Sequence, residues 1–163
     1  MRGAGDPAVP GSGRLPPVRA RGRTGITTVV ACGPGDTERA GAALGRRLKA
    51  GDCVCLTGPL GAGKTTFVRG AMRALGAGGR AVSPTYTLAR EARGRVPVAH
   101  LDFYRLGVPA ERRGLLDYLD GRRVVFVEWA ERDRSFWPRS PVVVRISRLG
   151  GDRRRITVRI PRG

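Results

Sequence analysis

Lys64 and Thr65 end a stretch whose residue types and spacing suit one chemistry, the holding of a nucleotide's phosphates. Gly58-Pro59-Leu60-Gly61-Ala62-Gly63-Lys64-Thr65 fits G-x-x-x-x-G-K-T, and Thr66 continues it. Glycines let the backbone curl until successive N–H groups point inward at phosphate oxygens. A helix after the loop adds unpaired N-terminal N–H groups and the positive end of its dipole. The lysine of such a loop reaches the β- and γ-phosphates, and the threonine hydroxyl binds Mg²⁺. Glycine is abundant here, at 25 of 163 residues. Even so, a chance match to the motif is expected only about 0.004 times. A glycine-rich turn with no ligand is the weaker alternative.

Two acids stand where such a site needs them. Asp102 ends the apolar run Val96-Pro97-Val98-Ala99-His100-Leu101, and Glu128 ends Val124-Val125-Phe126-Val127. Ligands of parallel sheets bind beyond the carboxyl ends of the strands, which brings both acids toward the phosphate loop. There a P-loop enzyme holds Mg²⁺ and positions the attacking water. An acid ending a strand also serves as a helix cap or a solvated turn, but two in one chain favour a functional role for at least one. Ser83-Pro84-Thr85-Tyr86-Thr87-Leu88 is either a switch-like segment sensing the γ-phosphate or a loop running into an edge strand through Ala92. His100 is the single histidine and lacks partners for a triad or zinc site, so a structural or supporting role is expected. Trp129 packs in the core or stacks on a base or partner. Cys32, Cys53 and Cys55 are odd in number and have no metal-ligand spacing, which suits reduced thiols in a cytoplasmic protein.

The elements that must position these groups alternate between strand and helix. Ile26–Ala31 is β-branched and reads as a strand. Gly35-Asp36-Thr37 reads as the turn and cap of a helix with Ala40, Ala43, Leu44 and Leu48 on its apolar side. Cys53–Leu56 enters the phosphate loop, and Thr66–Leu75 is the helix after it, stopped at Gly76 to Gly79. Strands apolar throughout suit a parallel sheet covered on both faces. Leu115–Leu119 reads as a short helix closed by Gly121. Val142–Ile146 and Arg155–Ile160 form a final pair around Leu149-Gly150-Gly151-Asp152, and the alternation of the second makes it antiparallel with one wet face. The expected fold is α/β: a three-layer P-loop domain with a mostly parallel central sheet and a C-terminal antiparallel pair.

Length and composition set the bounds. A chain of 163 residues supports one domain, placed here at 26–163. Residues 1–25, rich in Gly, Pro and Arg, read as a disordered basic extension with no secretory h-region. No apolar run is long enough to span a membrane. The net charge of +18 invites a nucleic-acid reading, but 29 of the 31 basic residues are Arg, as a GC-rich codon bias would produce. Part of the excess is local, since residues 132 to 163 hold ten Arg against two Asp.

Four ordered motifs carry a resemblance. The phosphate loop, Ser83–Leu88, His100-Leu101-Asp102-Phe103-Tyr104-Arg105-Leu106 and Val127-Glu128-Trp129 occur in the order and spacing of the TsaE family, over roughly residues 26 to 160. The chain resembles these small bacterial P-loop ATPases of tRNA threonylcarbamoyladenosine biosynthesis. The resemblance implies an ATP- and Mg²⁺-dependent ATPase supporting turnover of a TsaB–TsaD complex, with tRNA reached through that complex. It implies that Thr65 and Glu128 bind Mg²⁺, that Asp102 is needed for hydrolysis, and that Thr37, Trp129 and Arg155 lie close to the nucleotide. The chain departs from the family in having Ala130 where proline usually follows Glu-Trp, and a single acid in Pro109-Ala110-Glu111-Arg112-Arg113. A small-molecule P-loop kinase is the alternative, with Arg112, Arg113, Arg122 and Arg123 as lid candidates. A basic RNA-binding module is weaker, because only 6% of residues are aromatic and no RNA-binding aromatic motif appears.

Overall fold

The computed structural model describes residues 25–78, 89–105 and 114–161. Expectations for residues 1–24, for Ser83–Leu88 and for the lid candidates Arg112 and Arg113 lie outside the described residues.

Chain order is β1 (Gly25–Ala31), α1 (Pro34–Gly45), β2 (Cys53–Thr57), α2 (Lys64–Ala74), β3 (Ala89–Arg93), β4 (Pro97–Asp102), β5 (Val124–Glu128), β6 (Val142–Arg148) and β7 (Arg154–Ile160). All seven strands form one sheet in the order β1-β7-β6-β2-β5-β4-β3. β6, β2, β5 and β4 pair in parallel, and β1, β7 and β3 add antiparallel pairings at the flanks. The parallel core is where the sequence is apolar throughout: β5 is buried at every residue. Pro97 is tolerated because it is the first residue of its strand. Ala89–Arg93 is an edge strand, as the loop-to-edge reading of this region requires.

Alternation along each strand divides the interior in two. Val54, Leu56, Val98, Val124, Phe126 and Ile146 face α1 and α2. Cys53, Cys55, Leu101, Val125 and Val127 face the other way, under Leu115, Phe103 and Phe136 from short helical turns. Cys53 and Cys55 are buried free thiols, and Cys32 is exposed. A side-chain hydrogen bond with Cys55, reinforced by burial, pushes the Cys53 thiol up, so it stays protonated.

α1 begins earlier than its cap residues suggest. Gly33 is the N-cap, Pro34 occupies the first turn, and Asp36 accepts from Cys32 N at 2.8 Å. Proline at the first helical position fixes φ and loses only an N–H that had no partner anyway. The two helices touch backbone to backbone. A Cβ added to Gly41 would meet Phe67 O at 2.0 Å, and one on Gly45 would meet Ala71 O at 2.4 Å. Gly41→Ala gains about 1 kcal/mol of helix propensity. Prying α1 from α2 costs about 1–3 kcal/mol by overpacking, which should win. A lower melting temperature is therefore expected, and an unchanged or higher one would contradict this packing.

Candidate functional site

The loop leaves β2 at Thr57 and closes on the first residue of α2. Its curl rests on glycines with positive φ: Gly58 at 142°, Gly61 at 68° and Gly63 at 102°. Gly58 also lies against β6, where a Cβ would meet Ile146 O at 2.2 Å. Pro59, Leu60 and Gly61 form an exposed crest, and Ala62 is buried beneath it. Thr66 is half-buried in the first turn of α2. Thr37 is buried on α1, its hydroxyl donating to Gly33 O at 3.2 Å, and a Cβ on Gly63 would lie 3.5 Å from its methyl. Thr37 therefore walls the loop through its methyl group.

Lys64 is only 4% exposed, although the loop is at the surface. Its ammonium donates to Gly58 O at 2.6 Å and Pro59 O at 3.0 Å, and it lies 3.6 Å from the centre of the Trp129 ring. Burial lowers its pKa, and the negative charges of Glu128, Glu131 and Asp102 oppose that shift. The ammonium is held by carbonyls of its own loop and a π-face, contacts that a phosphate can replace with a full opposite charge.

Glu128 is 3% exposed and has both oxygens engaged. Thr65 Oγ1 donates to Oε2 at 2.9 Å, and His100 Nε2 lies 2.8 Å from Oε1. An ionised carboxylate only accepts, so His100 carries its proton on Nε2. The sheet explains the contact. Asp102 pairs with Glu128 and His100 with Phe126 across β4 and β5, which places His100 diagonal to Glu128 on the face turned to α2. His100 thus orients Glu128 toward Thr65. The sequence left its role between structural and supporting, and the signal was the two-residue step from His100 to Asp102 along one strand face.

Asp102 directly opposes Glu128 in the register, and its Oδ1 accepts from Tyr104 N at 2.9 Å, capping the turn Phe103–Arg105. Trp129 takes φ 57° and ψ 35°, a left-handed conformation rare for an aromatic residue. That reversal turns its indole onto Lys64. Tyr104 packs on the same ring with centroids 4.9 Å apart, and Arg132 lies over both rings and donates to Tyr104 O. Strain of this kind is stored where surrounding contacts over-determine it, commonly at functional sites. Glu131, which the motifs did not single out, accepts from Gly58 N at 3.2 Å.

Arg155 is exposed on β7 opposite Val30 and Ser147, on the face turned away from the helices, and among the described residues no hydrogen bond or ion pair joins it to the loop. Arg148 reaches the loop instead, donating to Leu60 O at 2.8 Å.

Among the described residues no cluster of three or more His, Cys, Asp or Glu side chains could hold a metal ion. Mg²⁺ does not need one: it takes one or two protein oxygens and completes its shell with phosphate and water. The Thr65 hydroxyl and Glu128 carboxylate, already 2.9 Å apart, form a hard-oxygen pair that fits this ion.

Known proteins share this arrangement of sequence and fold. The sequence model of the family "Threonylcarbamoyl adenosine biosynthesis protein TsaE" matches residues 33–156. The tRNA threonylcarbamoyladenosine biosynthesis protein TsaE of Bacillus subtilis is 41% identical over 110 residues, spanning 67% of this chain and 70% of the relative. The TsaE protein of Treponema pallidum is 38% identical over 131 residues, 76% of this chain and 93% of its own. A crystal structure of YdiB from Bacillus subtilis superposes with a TM-score of 0.70 at 29% identity, covering 85% of this chain and 88% of that one. The chain belongs to the TsaE family.

Proposed function

We propose that this protein is the ATPase of tRNA threonylcarbamoyladenosine synthesis, binding ATP with Mg²⁺ at Gly58–Thr66 and hydrolysing it in support of a TsaB–TsaD complex. The observation that carries the reading is the chain from His100 through Glu128 to Thr65, set beside a buried Lys64. The role in the modification pathway follows from the family. The kinase alternative finds no support in it. With tRNA as the pathway's substrate, the reading assigns the protein to the cytoplasm; among the described residues no helix is long and apolar enough to cross a membrane.

The site residues divide the work. Backbone N–H groups of the loop and of the first turn of α2 take the phosphate oxygens. Lys64 leaves the Gly58 and Pro59 carbonyls for the β- and γ-phosphates. Thr65 and Glu128 would hold Mg²⁺, which when bound neutralises charge developing on the transferred phosphoryl group. Asp102, beside Glu128 in the register, is assigned to orient the attacking water and accept its proton.

Trp129 supplies the test. In a Trp137→Phe background it is the one remaining tryptophan, and its ring lies 3.6 Å from Lys64 Nζ. ATP that draws Lys64 away should change its emission in a saturable titration, with higher affinity when Mg²⁺ is present. No change at millimolar ATP, with binding absent by calorimetry as well, would refute the site.

A further inference from the structure

Among the described residues, no element covers one face of the half of the sheet farthest from β3. α1 packs on one side of β1 and β7, where Val29 and Val158 join the core together with Ile146 of β6. The residues that alternate with these point the other way. The Thr28 and Thr157 hydroxyls meet at 3.1 Å there, which fixes both strands' outward side. In the same row the register sets Arg145 of β6 beside Thr157. Arg155 and Arg159 flank Thr157 along β7, and all three arginines are exposed. Each of Arg155 and Arg159 is a diagonal neighbour of Arg145, about 7–8 Å away.

Three like charges on adjacent strands repel, and no acid within those strands offsets them. β1, β6 and β7 contain no Asp or Glu. Among the described residues none of the three arginines has an ion-pair partner. Some arginines elsewhere do, with Arg39 on Asp36, Arg69 and Arg73 sharing Glu38, and Arg123 on Asp120. What distinguishes Arg145, Arg155 and Arg159 is their placement together on one exposed sheet face whose three strands carry no acid.

We propose that this open face of β1, β7 and β6 binds the sugar–phosphate backbone of RNA, with Arg145, Arg155 and Arg159 as its phosphate contacts. Guanidinium forks match phosphate oxygens, and hydroxyls between them, here Thr28, Thr157 and Ser147, add sequence-independent donors. Protein interfaces usually centre on a buried, well-packed cluster in which aromatic anchors are common beside arginine. The outward positions offer only isolated β-branched side chains, such as Ile26 at 70% and Val30 at 37% exposure. The choice of tRNA as the RNA rests on the family; the face itself rests on geometry and charge, and neither depends on ATP hydrolysis.

The test is tRNA binding to the full chain across a salt series, comparing wild type with Arg145→Ala/Arg159→Ala and Arg145→Lys/Arg159→Lys. The alanine pair should weaken binding about tenfold or more and lower the slope of log affinity against log salt by about 1.4–1.8, as the loss of two phosphate contacts requires. The lysine pair keeps the charges and should keep the slope. ATP hydrolysis should survive in both, which separates failure of this surface from failure of the nucleotide site. Should the double alanine variant not fold, Arg159→Ala alone should lower the slope by about 0.7–0.9. An unchanged affinity and slope would overturn the proposal. Unchanged tRNA binding with weakened association to TsaB–TsaD would overturn it too, assigning the face to an acidic protein surface.

Discussion

Lys64→Ala is expected to lower ATP turnover about 10²–10³-fold or more, the scale on which removal of one preorganised charge-stabilising donor is felt. The ammonium is buried and lies in the field of Glu128, Glu131 and Asp102, so it is pre-positioned as the positive charge among negative ones. On the proposed reading, its loss would leave those acids beside the γ-phosphate with less opposing charge. Lys64→Arg should not rescue, because a planar fork does not fit the space between Gly58 O, Pro59 O and the Trp129 ring. Thr65→Ala removes the hydroxyl that meets Glu128 and should also abolish turnover, whereas Thr65→Ser retains it. The measurement is hydrolysis with excess Mg²⁺, beside circular dichroism to show that each variant is folded. Wild-type turnover in folded Lys64→Ala and Thr65→Ala would remove the basis for the site.

Glu128→Gln and Asp102→Asn should fail in different ways. Glu128 accepts from Thr65 on one oxygen and from His100 on the other. A glutamine keeps the volume but sets an NH₂ group against one of those donors and removes the charge. Mg²⁺-dependent ATP affinity should fall by at least about tenfold, the loss typical even of groups that only orient a metal ligand. Asp102→Asn keeps an Oδ1 for Tyr104 N, so the turn beyond β4 survives and binding stays near wild type. Its turnover should drop by about 10²–10⁴-fold, the usual contribution of a positioned base. Titrations with and without Mg²⁺, followed by single-turnover hydrolysis, separate the two. Loss of Mg²⁺ dependence in Asp102→Asn but not in Glu128→Gln would reverse the assignments.

What could be read from the sequence was local. The phosphate loop is legible because its glycines, lysine and threonine act through backbone geometry fixed within eight residues. β5 is legible because a strand buried on both faces shows it in composition. The parallel core follows from the same signal, while the antiparallel places of β1 and β3 depend on which edges remained open. The contact of His100 with Glu128 needs the β4–β5 register, which neither strand encodes alone. Trp129 carries no mark of its left-handed backbone, because φ 57° goes with tertiary contacts to Lys64, Tyr104 and Arg132 that lie far away in sequence or outside any local pattern. Glu131 belongs to no motif because its partner is a backbone N–H, blind to residue type. The start of α1 was misplaced by cap chemistry, as Asp36 and Thr37 bond back to residues 32 and 33 from inside the helix.

The central claim, that the loop, Thr65 and Glu128 form an ATPase serving threonylcarbamoyl transfer, is tested most directly by ATP hydrolysis with purified protein, alone and with added TsaB–TsaD. Slow Mg²⁺-dependent hydrolysis alone and a clear acceleration with the complex, both lost in Lys64→Ala, are the expected result. Hydrolysis absent in both conditions, or phosphate transferred to a small acceptor instead of water, would contradict it.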